Sequence, residues 1–327
     1  MILAGIDIGT NTLRLLVAET GPDSFHEIYA DRKITRLGQD LALNGMLTRE
    51  AEERSLKALG DFAEKIRDHA ALHTAAIGTS ALRNASNSAA FINAVKLKTG
   101  IDVTVLSGEE EARLTLLGVA YMLSGKYVQG KINPLASLLV IDIGGGSTEI
   151  IMTRLGEAPV SVSIPLGAVY LTEQCIKHDP PITEELALLR RMVRDKLDRF
   201  AAMIQPAPAG KAIGTAGTIT TLAAINQGMV AYDPERITGS VLTSECIDEM
   251  IRTLSTSSIE ERRKIRGLEP GREDIILAGA MILQEIMRRF GYSSLLVSDW
   301  GLREGIVLDL YEKSTQQDPI RATKRYL

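Results

Sequence analysis

The chain has 327 residues, more than one hydrophobic core usually organises, so its length predicts two domains. With 45% hydrophobic and 24% charged residues, the composition is that of an ordinary globular protein. A net charge of −4 at pH 7 argues against a general binder of nucleic-acid polymers. It does not exclude an anionic ligand, because backbone amides, a few arginines and a metal can make one site positive within an acidic chain.

The amino-terminal segment and the apolar runs give no sign of export or membrane insertion. The segment MILAGIDIGTNT has no basic region and reaches an acid at Asp7, which is unlike a signal peptide. The longest apolar runs stay far below the roughly 20 residues of a membrane span. Two cysteines, Cys175 and Cys246, are too few for a disulfide framework. We therefore expect a cytoplasmic protein without membrane contacts, for which a homodimer is a reasonable assembly.

Strands and helices alternate in the first part of the chain, which predicts a partly parallel sheet covered by helices. A helix is expected to begin at Thr48, where the apolar residues recur at helical spacing. A second helix is expected over residues 80–100, with Gly100 as its stop. The predicted strands are residues 2–9, 10–19, 26–36, 74–78 and 101–106.

A stretch rich in Gly, Asn, Pro and Ser at residues 124–137 interrupts this pattern. It predicts a boundary between an amino-terminal domain, residues 1–124, and a carboxy-terminal domain, residues 125–327. After it the pattern restarts. The predicted elements are a strand–turn–strand unit at 138–155, a helix from Thr183 to a Pro-rich stop at 205–210, a strand at 211–215, helices from 216, over 243–256 and over 272–290, a strand at 294–299 and a final helix at 301–313. The final helix is expected to pack back on the amino-terminal domain.

A weak internal repeat is the most informative feature of this organisation. The segments A-G-I-D-I-G-T-N-T (4–12) and V-I-D-I-G-G-G-S-T (140–148) both place an aspartate, then Ile-Gly, at the end of an apolar strand. Two such hairpins, one in each half, predict duplicated domains that face each other across a cleft.

The first hairpin carries a candidate phosphate-binding turn. Gly9 permits a tight turn, and Thr10, Asn11 and Thr12 add hydroxyl and amide donors beside exposed backbone N–H groups. Arg14 lies two residues beyond Thr12 on the same face of a strand, where its guanidinium could grip the same anion. A plain hairpin turn with a surface arginine is the alternative.

The second hairpin is a sharper candidate. Three consecutive glycines, Gly144, Gly145 and Gly146, cost backbone entropy and allow the main chain to approach a ligand closely. Ser147 adds a donor, and the neighbouring acids Asp142 and Glu149 are the hard oxygen ligands that magnesium prefers. The sequence is neither a Walker loop nor a dinucleotide fingerprint. A glycine-rich hairpin without a ligand is the alternative.

Two glutamates of the segment LSGEEEAR have different predicted roles: Glu110 is structural and Glu111 is chemical. Ser107 and Glu110 have the spacing of a helix capping box. Glu111 then occupies the position where a hydrophobic staple to Leu106 would require an apolar residue, and positions that break a local rule are candidates for function. The alternative is that the glutamates only favour the helix dipole.

Weaker signals lie elsewhere in the chain. Arg83 is expected just inside a helix that follows a strand, where helix N-termini attract anions, although a surface arginine is equally compatible. The glycines and threonines of residues 214–218 could hold a further phosphate or close a hinge between the domains, and a role in packing is equally compatible. The basic runs at 190–199 and 262–267 favour solvated helix faces over a track for a long polyanion. The four histidines show no zinc-ligand spacing.

Taken in order, these motifs resemble the exopolyphosphatase and guanosine pentaphosphate phosphohydrolase family, within the actin, sugar-kinase and Hsp70 superfamily. The matching segments span residues 5 to about 307 and are GIDIGTNTLRL, GTSALRNASN, LSGEEEAR, VIDIGGGSTEI, IPLGAVYLTE, GTAGTITTLA and SDWGLREGI. The resemblance implies an α/β fold of two ribonuclease-H-like domains around an interdomain cleft. It also implies release of terminal orthophosphate from inorganic polyphosphate or from pppGpp, with Mg²⁺ as the cofactor and Mn²⁺ as an alternative.

The resemblance assigns roles to individual residues. Glu111 matches the catalytic base of the family, and Glu149 and Asp142 match acids that are linked to the metal, with Asp7 as a further ligand. Substrate-side positions are matched by Asp7, Thr10, Asn11, Thr12, Arg14, Arg83, Gly144, Gly145, Gly146 and Ser147.

Two departures and two rival functions remain. Thr10 and Thr12 replace serines that are common in the family, and longer members continue into helical domains, so the expectation of processivity on long chains is weakened.

An ATP-dependent kinase of the same superfamily would also use D-I-G loops, but it would need an acceptor. A sensor of guanosine polyphosphates would bind without turnover. The residues do not rank polyphosphate against pppGpp.

Overall fold

Two mixed β-sheets, each covered by helices, organise the molecule. The computed structural model describes residues 1–124, 137–201, 203–204 and 210–316. In the first half the strands are β1 (Ile2–Ile8), β2 (Thr12–Gly21), β3 (Ser24–Ile34), β4 (His73–Gly78) and β5 (Val103–Val105). In the second half they are β6 (Leu138–Ile143), β7 (Thr148–Thr153), β8 (Val160–Ile164), β9 (Lys211–Thr215), β10 (Val241–Thr243) and β11 (Ser294–Val297).

The two sheets repeat one topology, which confirms the internal repeat predicted from the D-I-G segments. The first sheet has the order β3-β2-β1-β4-β5, with β1 antiparallel to β2 and parallel to β4. The second has the corresponding order β8-β7-β6-β9-β11 and adds β10 at its edge, antiparallel to β11. The central strands β1 and β6 are almost wholly buried, as expected for apolar strands with helices on both faces.

The helices of the first half are α1 (Leu41–Asn44), α2 (Arg49–Asp68), α3 (Ser80–Asn84), α4 (Ser88–Thr99) and α5 (Gly108–Ser124). Thr48 caps α2, because its side chain accepts a hydrogen bond from the Ala51 amide. The single helix predicted over residues 80–100 is wrong, since it divides into α3 and α4. At the break, the Asn87 side chain bonds both the amide and the carbonyl of Leu47, and these tertiary bonds replace a helical turn.

The helices of the second half are α6 (Ala168–Cys175), α7 (Thr183–Ala201), α8 (Ala216–Asn226), α9 (Pro234–Ile237), α10 (Ser244–Thr256), α11 (Ile259–Arg262), α12 (Ile276–Phe290) and α13 (Leu302–Gln316). The predicted helix at 272–290 begins four residues later than expected. Among the described residues, no helix has both the length and the apolar character that crossing a membrane would require.

Helices α5 and α13 connect the two halves, because each packs against the sheet of the opposite half. Residues of α5 pack with the second sheet, whereas Val307 of α13 packs with Leu3 and Leu16 of the first sheet. The two helices touch where Gly118 faces Gly301: a Cβ at Gly118 would lie 2.1 Å from the Gly301 carbonyl oxygen, so backbone contacts backbone there. The predicted boundary at residues 124–125 adjoins residues 125–136, which lie outside the described part, and it stays a prediction.

Candidate active site

The two D-I-G hairpins share one pairing pattern, but the residue opposite the aspartate differs in charge. In the first, Asp7 of β1 pairs with Arg14 of β2; in the second, Asp142 of β6 pairs with Glu149 of β7. Each turn is closed by one backbone hydrogen bond, from Gly9 N to the Thr12 carbonyl oxygen (3.2 Å) and from Gly144 N to the Ser147 carbonyl oxygen (3.0 Å). The same scaffold therefore presents a cation beside an acid in one half, and two acids in the other.

The turns approach each other so closely that two glycines of the second loop have no room for a side chain. A Cβ at Gly145 would lie 3.0 Å from Thr10 Cβ, and one at Gly146 would lie 2.6 Å from Ser80 Oγ and 2.9 Å from Thr10 Oγ1. Gly145 and Gly146 therefore allow the close contact between the two halves. Helix α6 supports the loop, because the Ala168 amide donates to the Gly144 carbonyl oxygen.

Most of the predicted site residues line one small cavity between these loops, of about 60 Å³. The predicted residues in its lining are Asp7, Thr10, Asn11, Thr12, Arg14, Glu111, Asp142, Gly144, Gly145, Gly146 and Ser147. Arg83 and Glu149 lie behind the lining, where Arg83 contacts Glu111 and Glu149 pairs with Asp142. A larger cavity of about 260 Å³ adjoins it and shares Arg14, Asp142 and Gly217 with it. Gly217 lines both cavities, so the 214–218 segment has a side that faces the cleft.

Glu111 is held at the start of α5 by an ion pair. Its capping-box neighbours behave as predicted: the Glu110 amide donates to Ser107 Oγ and the Ser107 amide donates to Glu110 Oε2, each at 3.2 Å. Glu111 itself is 7% exposed, and Arg83 Nη1 lies 3.0 Å from its Oε2. Burial and the nearby Glu149 carboxylate raise the pKa of Glu111 well above its usual value, although Arg83 opposes the rise.

Asp142 and Glu149 are each oriented by a hydroxyl group that the sequence did not reveal. Thr115 of α5 donates to Asp142 Oδ2 at 3.2 Å, and Ser163 of β8 donates to Glu149 Oε1 at 2.7 Å. Burial, and then repulsion from Asp142, raise the pKa of Glu149 to about 7. Burial also raises the pKa of Asp142. The ionised forms of these two buried acids are therefore disfavoured, even with Arg14 in the lining of the same cavity.

Asp7 gives the clearest sign that a cation belongs here. Its Oδ1 is buried without a hydrogen-bond partner, while Oδ2 is 3.5 Å from Arg14 Nη1. Burial raises the pKa of Asp7 to about 6, because Arg14 only partly offsets the cost of desolvation. Within the described residues no three His, Cys, Asp or Glu side chains converge as a ready-made metal cage. The arrangement fits Mg²⁺, which proteins bind through one or two carboxylates together with substrate phosphates and water.

Sequence reasoning missed Arg272, an arginine that lines both cavities. Arg272 is 5% exposed, pairs with Glu269 at 2.5 Å and donates to Thr12 Oγ1 at 3.3 Å, across 260 residues of chain. It stands in no recognisable motif, and only the folded chain brings it to the first loop. The basic run at 262–267 was also misjudged in part: Arg262 is 2% exposed, and its guanidinium bonds the Leu254 and Glu273 carbonyl oxygens.

The fold and the site together define an α/β protein of two related halves, whose D-I-G hairpins meet at a cavity rich in carboxylates. The chain belongs to the Ppx/GppA phosphatase family, whose model matches residues 16–314. It is 34% identical over 321 residues to exopolyphosphatase 2 of Mycobacterium tuberculosis, and the match covers 94% of this chain and 98% of that protein.

Solved structures agree with this assignment. The Ppx/GppA family member of Aquifex aeolicus has a TM-score of 0.78 at 33% identity, covering 96% of this chain and 98% of that one. An exopolyphosphatase from Cytophaga hutchinsonii has a TM-score of 0.83 at 27% identity, covering 99% and 100% of the two chains.

Among sequence relatives, the chain is also 33% identical to part of a bifunctional 3-dehydroquinate synthase/phosphatase of Fusobacterium nucleatum, and the match covers 46% of that protein.

Proposed function

We propose that this protein is an exopolyphosphatase that releases terminal orthophosphate from inorganic polyphosphate. The observation that carries the proposal is the convergence of both phosphate loops on a cavity that also contains the buried carboxylate of Glu111. A cavity of about 60 Å³ has room for one phosphoryl group with its attacking water. Two cysteines that form no disulfide are consistent with a cytoplasmic location.

Glu111 acts as the general base in this proposal. Its carboxylate orients and deprotonates the water that attacks the terminal phosphorus. Ionised Glu111 is required, and the ion pair with Arg83 favours that form, whereas the neighbouring Glu149 opposes it. Arg83 therefore acts through Glu111 and does not need to touch substrate. A base whose pKa is raised above that of an ordinary glutamate is better matched to proton transfer at neutral pH.

The two loops hold the phosphate chain in line for attack. Backbone N–H groups and the hydroxyl groups of Thr10, Thr12 and Ser147 surround the phosphate oxygens, and Arg14 adds positive charge at the shared wall of the two cavities. Asp142 and Glu149, with Asp7, would hold Mg²⁺, or Mn²⁺ in its place. When bound, the cation neutralises phosphate charge and relieves the repulsion among these buried acids.

The adjoining cavity favours pppGpp as a second substrate. Its lining contains six carboxylates and four arginines, together with Tyr232. Such a surface suits the hydroxyl and amino groups of a nucleoside better than it suits further phosphates. The cavity of about 260 Å³ therefore gives room for part of a nucleotide beyond the phosphate loops.

The decisive experiment compares phosphate release from short polyphosphate, long polyphosphate and pppGpp in the presence of Mg²⁺. We expect Glu111→Gln to keep the fold and to lose roughly 10²-fold or more of the turnover, the scale of general-base catalysis. Glu110→Gln is the matched control, because the neighbouring side chain is exposed and glutamine can also complete the capping box. Near wild-type turnover in Glu111→Gln would refute the base assignment. Phosphate transfer to an acceptor with stoichiometric ADP would select a kinase, and tight binding without turnover would select a sensor.

A further inference from the structure

Residues 35–40, here called the latch segment, follow β3 in the first half and contact the second half directly. The guanidinium of Arg36 makes a two-pronged ion pair with Asp274, with Nη1 2.7 Å from Oδ2 and Nη2 3.0 Å from Oδ1. Arg36 Nη2 also donates to the Gly271 carbonyl oxygen at 3.1 Å. A bidentate, charge-assisted pair is more directional than an ordinary surface pair, so it fixes the relative position of the two segments.

A second bridge leads from the latch segment to the second phosphate loop. The Asp40 amide donates to Glu173 Oε1 at 2.8 Å. Glu173 lies in α6, and the first residues of that helix, Ala168 and Val169, donate their amides to the carbonyl oxygens of Gly144 (3.0 Å) and Gly145 (2.9 Å). The glycine loop and the Glu173 carboxylate therefore belong to one hydrogen-bonded unit.

The same segment is also bonded to the first phosphate loop. The amides of Thr35 and Arg36 both donate to the Asn11 carbonyl oxygen, at 3.1 Å and 2.9 Å. The Gly38 amide donates to the Thr10 carbonyl oxygen at 2.8 Å. Six residues thus connect the backs of both loops without lying in the cavity where phosphate would bind.

The backbone of the latch segment is strained at the two residues that cross the cleft. Arg36 has a φ of 50° and Asp40 a φ of 58°, a left-handed conformation that residues with a Cβ rarely adopt. Such a conformation persists where surrounding contacts over-determine it, and both residues have contacts on each side of the cleft.

We propose that the latch segment sets the separation of the two phosphate loops, and that Arg36 is a positioning residue for the phosphatase reaction. When the Arg36–Asp274 pair breaks, the closed arrangement of the halves becomes less populated, and substrate meets one loop rather than two. The apparent affinity for substrate then falls in proportion to the fraction of molecules that are closed. A saturating substrate concentration still draws the halves together. The defect therefore appears in KM more than in kcat. The kinetic part of this inference rests on the proposed function.

Three variants test the latch: Arg36→Asn, Asp274→Asn and the double variant. Asparagine tolerates the left-handed conformation at position 36, so this substitution removes the guanidinium without adding backbone strain. Arg49→Asn is the matched control, since the exposed Arg49–Glu53 pair lies within one helix. With tripolyphosphate, we expect KM to rise roughly tenfold in each latch variant and kcat to stay within about twofold, in the range of measured couplings between sites. The double variant should be no worse than Arg36→Asn alone, because loss of the guanidinium already removes the pair with Asp274.

Small-angle scattering of the substrate-free proteins gives a readout that does not depend on activity. The radius of gyration should increase in the latch variants and not in Arg49→Asn. Unchanged KM and radius of gyration, or strictly additive effects of Arg36→Asn and Asp274→Asn, would overturn the latch. If wild-type protein releases no phosphate from any substrate, the proposed function fails, whereas the scattering comparison still decides whether the latch holds the halves together.

Discussion

Replacing Glu149 by glutamine should stabilise the metal-free protein while it removes activity. Glu149 is 1% exposed, and burial beside Asp142 raises its pKa from 4.5 to about 7. Each pKa unit corresponds to about 1.4 kcal/mol, so ionised Glu149 costs the folded protein about 3 kcal/mol at pH 8. Glutamine has the same shape, carries no charge and can still accept the hydrogen bond from Ser163.

The pH dependence has a definite sign. Because the pKa is raised on folding, the unfolded chain loses this proton first, and wild-type stability falls as pH rises from about 4.5 to about 7. Glu149→Gln lacks that loss. Its advantage in the free energy of unfolding should therefore grow from about 1 kcal/mol at pH 5 to about 3 kcal/mol at pH 8.

Thermal unfolding in a chelator at both pH values measures this difference. A gain of about 3 kcal/mol corresponds to a rise in Tm on the order of 5 °C at pH 8. Adding Mg²⁺ should reduce the gap, since a bound cation stabilises only the wild-type acids. A variant less stable than wild type at pH 8, or a gap independent of pH, would show that Glu149 is not a strained anion.

Two further predictions concern the loops and the hydroxyl that orients Glu149. Gly146→Ala should lower turnover roughly tenfold or more, because the new methyl group would lie 2.6 Å from Ser80 Oγ and would displace the loop. Gly60→Ala on α2 is the control, because a methyl group there would meet no atom within 4 Å beyond its own stretch of helix, and it should leave phosphate release unchanged. Ser163→Ala removes a hydrogen bond that lowers the pKa of Glu149, so the acidic limb of the pH–rate profile should move to higher pH. An unshifted profile would mean that Glu149 does not need to be ionised for turnover.

The sequence revealed those parts of the site that are encoded locally. A strand that ends in D-I-G, a run of glycines and the Ser107–Glu110 spacing each define a turn or a cap within a few residues, and the structure has all three. The duplicated topology was also predictable, because both halves repeat one hairpin with its strand context. Local sequence patterns predict local turns and caps. In this chain, two copies of one hairpin pattern also predicted the duplicated sheet topology.

The remaining parts of the site depend on contacts between distant residues. Arg272 reaches Thr12 across 260 residues, and Ser163 reaches Glu149 from the next strand, so neither has a signature near its own position. The break between α3 and α4 has the same origin, since Asn87 bonds the backbone of Leu47 rather than a neighbouring turn. Side chains that bond or orient a distant residue can be recognised only in the folded structure.

The two hairpins differ in charge, and this difference bears on the ligand that the proposed site would bind. The position across from the aspartate is Arg14 in the first copy and Glu149 in the second. The first copy therefore partly neutralises its acid and can face phosphate, whereas the second concentrates negative charge and can face a cation. Neither phosphate nor a cation alone satisfies both copies, because each leaves one side unpaired in a buried cavity. Under the proposed function, we therefore expect a metal-complexed phosphate chain to satisfy both copies.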